Sequence, residues 1–284
     1  MKEKQVTVLE HLSHFKVLTS SQLVQLKVYK YRGDVTNTLK PLLSFKKPLI
    51  GKKNFQPDPS YGKVESTYYL TKYGRDYLVK KLNYKKDVIK YINNDNDLFK
   101  KDYYHRKSTV DFHIGLKQWI ESEDGEIIFC NGYFDKVGNN RVKNSSKHVY
   151  ALNRLELKKG LSFIPDMISM FTVNNREYLF LFEQHNGNST NRLVKQLESH
   201  LESITEDLFE NQFGFQKSPR ITIVCESESV KINTIKRLKQ DKKFDNFYNF
   251  FIFKSNSELQ QSFNQNWSLL DGQRVSFIEP KHTN

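Results

Sequence analysis

The sequence predicts an α/β protein, α+β overall, in which a small basic helical part is followed by a larger mixed sheet flanked by helices. Three observations support this prediction. Helical and strand-like periodicities alternate along the chain. The excess of basic residues is concentrated in the first hundred positions. No run of eighteen apolar residues occurs in the 284-residue sequence, so no membrane partner is expected. We place a first domain at residues 1–82, a connector at 83–101 and a second domain at 102–284.

Charge is distributed unevenly between the two parts. Residues 1–100 contain 20 Lys and Arg against 9 Asp and Glu, a net charge of +11, whereas the remainder holds 25 basic and 23 acidic residues. A concentrated positive charge suits a polyanionic partner, because each neutralised phosphate releases condensed counterions. A lysine-rich surface without such a role is the alternative, and charge alone does not separate the two.

Three helices are predicted in the first part. Apolar residues spaced for one helical face indicate a helix at residues 6–15. Thr19 or Ser20 is suited to cap a short second helix. Residues 32–34 are expected to form a turn before a third helix, Val35–Leu43.

The third helix carries the side chains that we expect to meet DNA. Pro41 is expected to kink or shorten this helix. Short polar and basic side chains on its outer face are of the kind that contact base edges and phosphates in a major groove. The candidates are Thr36, Asn37, Thr38 and Lys40.

Two β-prone runs follow the third helix. They cover residues 48–50 and 66–70 and are joined by a polar loop, after which Thr71 is suited to cap another helix. The basic residues of this loop, expected to lie along the phosphate backbone, are Lys52, Lys53 and Lys63. The order of these elements, with the string YYLTKYGRDYL at residues 68–78, resembles the winged helix-turn-helix of many DNA-binding proteins. The resemblance implies binding to double-stranded DNA, with protein binding as the alternative.

The second part alternates strand-like and helical runs. Residues from 131 to about 159 are expected to form mostly loop. The predicted elements are a helix at 102–122, strands at 127–130, 161–173 with a bend at Pro165, 177–183, 221–225 and 247–253, helices at 191–209 and 229–239, and a final short helix. Cys130 and Cys225, both in apolar strand-like runs, are expected to be buried thiols in a reducing cytoplasm.

Two acids mark the most chemically suggestive segment. Asp166 follows Pro165 on an apolar strand and Glu183 ends the next strand, so a hairpin can bring them side by side. Two carboxylates at adjoining strand ends suit a hard cation such as Mg²⁺, which can activate phosphodiester cleavage. His185, on the same face as Glu183, could supply a third contact or handle a proton. A purely structural alternative stays open. Asp166 would form a turn, and Glu183 would simply end its strand.

Lys195, on the helix that follows, could stabilise charge that develops on a phosphate. The sequence contains no Gly-x-x-x-x-Gly-Lys loop, so ATP is not expected as a cofactor.

The segment with Pro-Asp, a hairpin and a strand-end glutamate resembles the core of the PD-(D/E)xK nucleases, which share the restriction-endonuclease fold. With an amino-terminal winged helix, the chain is similar to the replication-relaxation family, which includes the MobC-class plasmid relaxases. The resemblance spans about residues 5–205. His105 at the start of a helix, Gly187 after the strand glutamate and Lys195 on the next helix match the family pattern.

The resemblance implies a function in mobile-element DNA. Asp166 and Glu183 would hold Mg²⁺ or Mn²⁺, with His105 as a supporting residue and Lys195 as a phosphate contact. The chain would be a relaxase or replication-initiation protein that nicks one strand of origin-like double-stranded DNA, together with other mobilisation or replication proteins. Whether it forms a homodimer, and whether one of its 15 tyrosines becomes linked to DNA, is left open.

Two departures from the family pattern keep other functions open. His185 stands where the nuclease superfamily has a lysine, and Asn131 and Gly132 stand where relatives often carry a glutamate. A DNA-binding regulator or accessory factor with a degenerate nuclease-like domain is therefore the main alternative. An ordinary restriction endonuclease fits the domain order and His105 less well.

Overall fold

The structure is a computed structural model that describes residues 1–59, 62–92, 102–137, 150–157, 160–206 and 208–278. The chain divides into two compact units, Met1–Ile114 and Gly115–Asn284. Both helices and strands occur in each unit, and the predicted α+β class is confirmed at this level.

The first unit combines helices with a small antiparallel sheet. Its elements are α1 (Glu3–Phe15), β1 (Val17–Thr19), α2 (Ser20–Gln25), α3 (Arg32–Ser44), β2 (Ile50–Lys53), β3 (Thr67–Leu70), α4 (Lys72–Leu82), a 3-10 turn (Lys86–Val88) and the first part of α5 (Tyr103–Ser122). The strands pair in the order β1-β3-β2, with Val17 opposite Tyr69 and Lys52 opposite Tyr68. Leu9, Leu12 and Leu39 are among its fully buried apolar side chains.

Helix α3 begins earlier than the sequence predicts. Residues 32–34, expected to form a turn, are its first three residues. Arg32 is held by an ion pair with Glu65 at 2.8 Å, and Asp34 in the first turn complements the positive end of the helix dipole. Pro41 lies inside α3 without ending it, since the helix continues to Ser44.

Threonine side chains cap two helices, as the sequence predicts. Thr19 Oγ1 accepts the backbone N–H of Gln22 at 3.2 Å, and the Gln22 side chain accepts the Thr19 N–H at 2.9 Å. Thr71 Oγ1 accepts the Gly74 N–H at 3.2 Å and donates to the Pro48 carbonyl at 2.6 Å. The two hydrogen bonds of Thr71 connect the start of α4 to the chain just before β2.

The division between the units falls inside α5, downstream of the connector expected at residues 83–101. The start of α5 packs on the first unit. Gln22 donates to Asp111 Oδ1 at 2.8 Å and to the Lys107 carbonyl at 3.2 Å. The rings of Phe15 and His113 lie 4.5 Å apart. Residues 93–101 of the connector lie outside the described residues.

The second unit is built on a mixed sheet. Its elements after α5 are β4 (Glu126–Gly132), β5 (Lys136–Val137), β6 (Tyr150–Ala151), β7 (Leu155–Glu156), β8 (Ser162–Phe163), β9 (Met167–Val173), β10 (Arg176–His185), α6 (Thr190–Thr205), α7 (Leu208–Phe213), β11 (Arg220–Cys225), α8 (Glu228–Gln240), a 3-10 turn (Lys242–Phe244), β12 (Phe251–Ser255), α9 (Asn256–Gln261), β13 (Trp267–Ser268) and β14 (Arg274–Val275).

The main sheet has the order β14-β13-β12-β11-β10-β9-β4. Strands β10, β11 and β12 are parallel, and the other neighbours are antiparallel. One face carries Ile168, Leu181 and Ile223, which pack with the apolar side chains of α6 and α8. The opposite face carries aromatic residues, among them Phe171 and Phe180, whose rings lie 5.3 Å apart.

Several predicted elements differ from the observed ones. The strand expected at residues 161–173 is two strands, β8 and β9, and Pro165 lies in the break between them. The helix expected at residues 191–209 is α6 and α7. The strand expected at residues 247–253 is β12, displaced by a few residues. The loop expected after residue 130 contains the short strands β5, β6 and β7.

Both cysteines are buried, as predicted. In the part of the chain that the structure describes, no helix has the length and apolar character needed to cross a membrane.

Candidate functional site

Asp166 and Glu183 lie side by side on one face of the main sheet. In the antiparallel register of β9 and β10, Phe182 is opposite Met167, so Asp166, just before β9, comes next to Glu183. Because side chains alternate along a strand, Glu183 shares the face of Leu181, and Asp166 shares that of Ile168. Both of these apolar residues belong to the core beneath α6.

The two carboxyl groups are buried and close enough to share a hydrogen bond. Only 7% of Asp166 and 2% of Glu183 is exposed. Burial first, and then the charge and hydrogen bond of Asp166, raise the pKa of Glu183 well above its ordinary value.

Backbone contacts fix the position of Asp166. Its Oδ2 accepts the backbone N–H of Gln184 at 2.7 Å, and its carbonyl accepts the N–H of Tyr133 at 2.9 Å. The carbonyl of Pro165 accepts a hydrogen bond from the buried Asn153 side chain. Since β10, the turn after β4 and the segment between β6 and β7 all take part, only the folded sheet creates this arrangement.

Helix α6 supplies the other partners of Glu183. Nε2 of His200 lies 2.6 Å from Glu183 Oε1, and Gln196 Nε2 donates to Oε2 at 3.5 Å. Burial lowers the pKa of His200 to about 3, so its imidazole is neutral. The ring packs edge-on against Phe163, with centroids 4.9 Å apart.

His200 is not among the site residues predicted from the sequence, because this histidine lacks metal-ligand spacing. The sequence did contain one signal for His200: it lies three residues after Leu197, on the apolar side of α6. A histidine that is buried there needs a polar partner.

Lys195 does not lie on the side of α6 that faces the acid pair. It is exposed, and at 3.6 residues per turn it is about 200° around the helix from the buried Leu193. The cation that acts on Glu183 is instead Arg192, whose charge lowers the pKa of this acid against the larger effect of burial. The phosphate contact expected of Lys195 stays a prediction.

His185 is the last residue of β10 and is buried on the Glu183 face. Gly187 follows it with φ +117°, and its N–H donates to Glu226 Oε2 at 2.6 Å. Among the described residues, no group of three or more His, Cys, Asp or Glu is arranged to hold a metal ion. The third metal contact expected from His185 therefore stays a prediction. The groups that the structure does bring together are the carboxyls of Asp166 and Glu183.

The neighbouring strand β4 ends beside Asp166. Asn131 is opposite Ile168 and shares its face. The Gly132 N–H donates to Oδ2 of Asp135 at 3.0 Å, and Asp135 is buried. Sequence reasoning missed Asp135, since it lies in a stretch expected to be loop.

The candidate DNA contacts belong to the first unit. Thr36, Asn37 and Lys40 are exposed on α3. Thr38 is half-buried, and its hydroxyl donates to the Asp34 carbonyl at 3.3 Å. In the hairpin of β2 and β3, Lys52 and Lys63 are exposed and Lys53 is half-buried.

His105 also belongs to the first unit, where it is half-buried near the start of α5. Its carbonyl accepts the Thr109 hydroxyl at 3.0 Å. Asp166 and Glu183 belong to the second unit, and the supporting role expected of His105 stays a prediction.

Comparison of the chain with protein-family models, with curated proteins and with solved structures finds no match.

Proposed function

We propose that the protein binds double-stranded DNA through its first unit and nicks one strand with its second. The first unit would be a winged helix-turn-helix, and the second a nuclease-like domain of the PD-(D/E)xK type, as in the replication-relaxation family. The observation that carries the proposal is the contact between the buried carboxyls of Asp166 and Glu183.

The order of elements in the first unit supports DNA binding. Helices α2 and α3 are followed by a β-hairpin, as in a helix-turn-helix with a wing. The exposed residues Asn37 and Lys40 suit base and phosphate contacts, and Lys63 in the hairpin loop suits the backbone. The +11 charge of residues 1–100 supplies the electrostatic attraction.

The acid pair is chemically suited to a divalent cation. Burying two carboxyls together is costly unless a proton or a cation offsets their repulsion. Mg²⁺ and Mn²⁺ prefer such oxygen ligands, and either ion would supply Lewis-acid activation of a phosphodiester when bound. Asp166 and Glu183 would hold the ion, His200 would orient Glu183, and Arg192 would attract the phosphate.

Nicking of supercoiled plasmid DNA tests the catalytic part. DNA sites selected by the full chain from a random duplex library would be cloned into the plasmid, and nicking would be measured with Mg²⁺ or Mn²⁺. Asp166→Asn and Glu183→Gln are expected to lower the rate at least a hundredfold. Glu126→Gln, an exposed acid on β4 of the same sheet, is the matched control and should retain the full rate. Full nicking by both site variants would refute the assigned site.

A second candidate function is a DNA-binding regulator or accessory factor without nuclease activity. It is favoured by the engagement of Glu183 with His200, which occupies the carboxylate oxygen Oε1. This function predicts sequence-selective DNA binding that a chelator does not change, together with no Mn²⁺ binding and no nicking of the selected plasmid.

A further inference from the structure

A cavity of about 210 Å³ lies in the second unit near the start of β10. Its walls include Arg176 and Phe180, whereas Glu183 lies near the other end of the strand. At a rise of about 3.3 Å per residue, Arg176 and Glu183 are roughly 23 Å apart along β10. The cavity is therefore separate from the acid pair, and we refer to it as the β10 cavity.

The register of the sheet explains why a cavity forms here. Strand β10 begins at Arg176, but its pairing with β11 begins only at Phe180, opposite Arg220. Residues 176–179 are paired with β9 on their other side. The segment that leads into β11, including Phe215 and Lys217, also lines the cavity.

Positive charge is concentrated around the β10 cavity. Arg176, Lys217 and Arg220 line it, against one acid, Glu177, among the described lining residues. Arg220 is held in place because its NH1 donates to the carbonyl of Phe277 at 2.8 Å. The chain beyond residue 100 carries nearly balanced charge. These three basic side chains therefore form a local positive patch that attracts an anion.

Aromatic side chains form the apolar part of the same cavity. Tyr178 and Phe180 come from β10, and Phe215 comes from the segment before β11. The Tyr178 ring is stacked with Phe171 at 5.6 Å and 22°, which fixes its plane. A site that combines cations with rigid aromatic rings suits a ligand that has both a phosphate and a flat ring.

We propose that the β10 cavity binds a nucleotide of single-stranded DNA, with the phosphate at Arg176 and Lys217 and the base against Tyr178 or Phe215. The choice of DNA rests on the proposed function, in which nicking releases a single strand. The cavity is smaller than the roughly 300 Å³ at the lower end for drug-sized ligands, which suits one nucleotide at a time. An acidic peptide added to the edge of β10 is a different partner that the test distinguishes.

Photocrosslinking locates the bound strand. A 12-residue thymidine oligonucleotide with 5-iodouracil would be irradiated with the full chain, and the modified peptides identified by mass spectrometry. Crosslinks at Tyr178 or Phe215 are expected. Crosslinks confined to residues 1–92, or no crosslink at all, would overturn the proposal. Displacement of the oligonucleotide by a glutamate-rich peptide that crosslinks at the same residues would also overturn it.

Charge removal tests the phosphate contacts. The double variant Arg176→Ala/Lys217→Ala is expected to reduce crosslinking at the β10 cavity at least tenfold. It should also lower the salt dependence of oligonucleotide binding by about 0.7 in log–log slope for each phosphate that the protein no longer neutralises. Lys236→Ala/Lys239→Ala removes the same charge from exposed positions on α8 and should change neither quantity.

Two further variants distinguish failure of the cavity assignment from failure of the proposed function. Tyr178→Leu leaves the charge intact and is expected to lower crosslinking at Phe215 as well, because the base loses its stacking surface. Asp166→Asn is expected to abolish nicking and to keep the crosslinks. If wild-type protein does not nick but still crosslinks at the β10 cavity, the proposed function fails while the cavity assignment stands.

Discussion

His200 Nε2 lies 2.6 Å from Glu183 Oε1, and both side chains are buried. The contact joins the middle of α6 to the end of β10. Glu183 is therefore oriented by a neutral histidine from a different element. Replacement of either residue should therefore change the behaviour of the acid pair.

Acidification is expected to destabilise the protein through His200. Burial lowers its pKa to about 3 in the folded chain, against 6.5 as the ordinary value, so the unfolded chain binds a proton that the folded chain does not. This contribution to stability is complete above pH 6.5 and is lost as the pH falls towards 3, by at most about 1.4 kcal/mol per pH unit. Urea unfolding from about pH 7 down to pH 4 measures it.

His200→Gln is the control for this pH effect, because glutamine keeps a polar group near Glu183 but does not titrate. Its free energy of unfolding should fall less steeply with acid than that of wild type. Because its pKa is raised, Glu183 makes the free energy of unfolding rise as the pH falls. Glu183 is present in both proteins, so the comparison isolates His200. Identical slopes for the two proteins would contradict a buried neutral histidine.

Glu183→Gln is expected to keep or raise the Tm of the metal-free protein, and to remove its response to Mn²⁺. The amide avoids the cost of burying an acid beside Asp166 and retains an oxygen for His200. Thermal unfolding with and without millimolar Mn²⁺ measures both effects, because an ion that binds only the folded state raises the Tm. Glu126→Gln should respond to Mn²⁺ as wild type does. A Glu183→Gln protein with the wild-type Mn²⁺ shift would show that the ion binds elsewhere.

Gly51→Ala is expected to destabilise the first unit by about 1–3 kcal/mol, the usual cost of overpacking. A Cβ at this position would come within 2.1 Å of the Tyr69 ring on the facing strand. Gly33→Ala is the matched control, since nothing lies within 4 Å of its Cβ position and the residue is helical. Alanine there should stabilise α3 by up to about 1 kcal/mol. Chemical unfolding of both variants checks the difference, and equal effects would contradict the close contact at Gly51.

Residues on α3 and in the hairpin loop are expected to affect DNA binding differently. Asn37→Ala should relax base preference at one position of the selected site, with a loss of about 1–3 kcal/mol for the preferred base. Lys63→Ala should weaken binding to all sequences alike and lower the salt dependence by about 0.9 in log–log slope. Binding isotherms on the selected duplex and on single-base variants, at several salt concentrations, separate the two. A uniform loss from Asn37→Ala would contradict a base contact by α3.

Local sequence signals predicted much of the secondary structure. Thr19 and Thr71 cap their helices as expected, because a threonine oxygen satisfies a backbone N–H wherever a helix starts. The early start of α3 could not be predicted in the same way. The side chain of Arg32 is paired with Glu65, which is 33 residues away in sequence. Pro165 indicated a bend, but the division into β8 and β9 depends on pairing with other strands.

The sequence by itself determined the α+β class, the concentration of charge in the first hundred residues and the placement of Asp166 and Glu183 in one predicted hairpin segment, although β10 continues two residues beyond Glu183. These follow from periodicity and composition, which are local properties of the chain. Only the tertiary structure decided which side chains surround the acids. His200 reaches Glu183, and Lys195 does not, because the rotation of α6 about its axis is set by packing Leu193 and Leu197 against the sheet. The β10 cavity likewise depends on the register of β10 with β11, which contacts between distant residues fix.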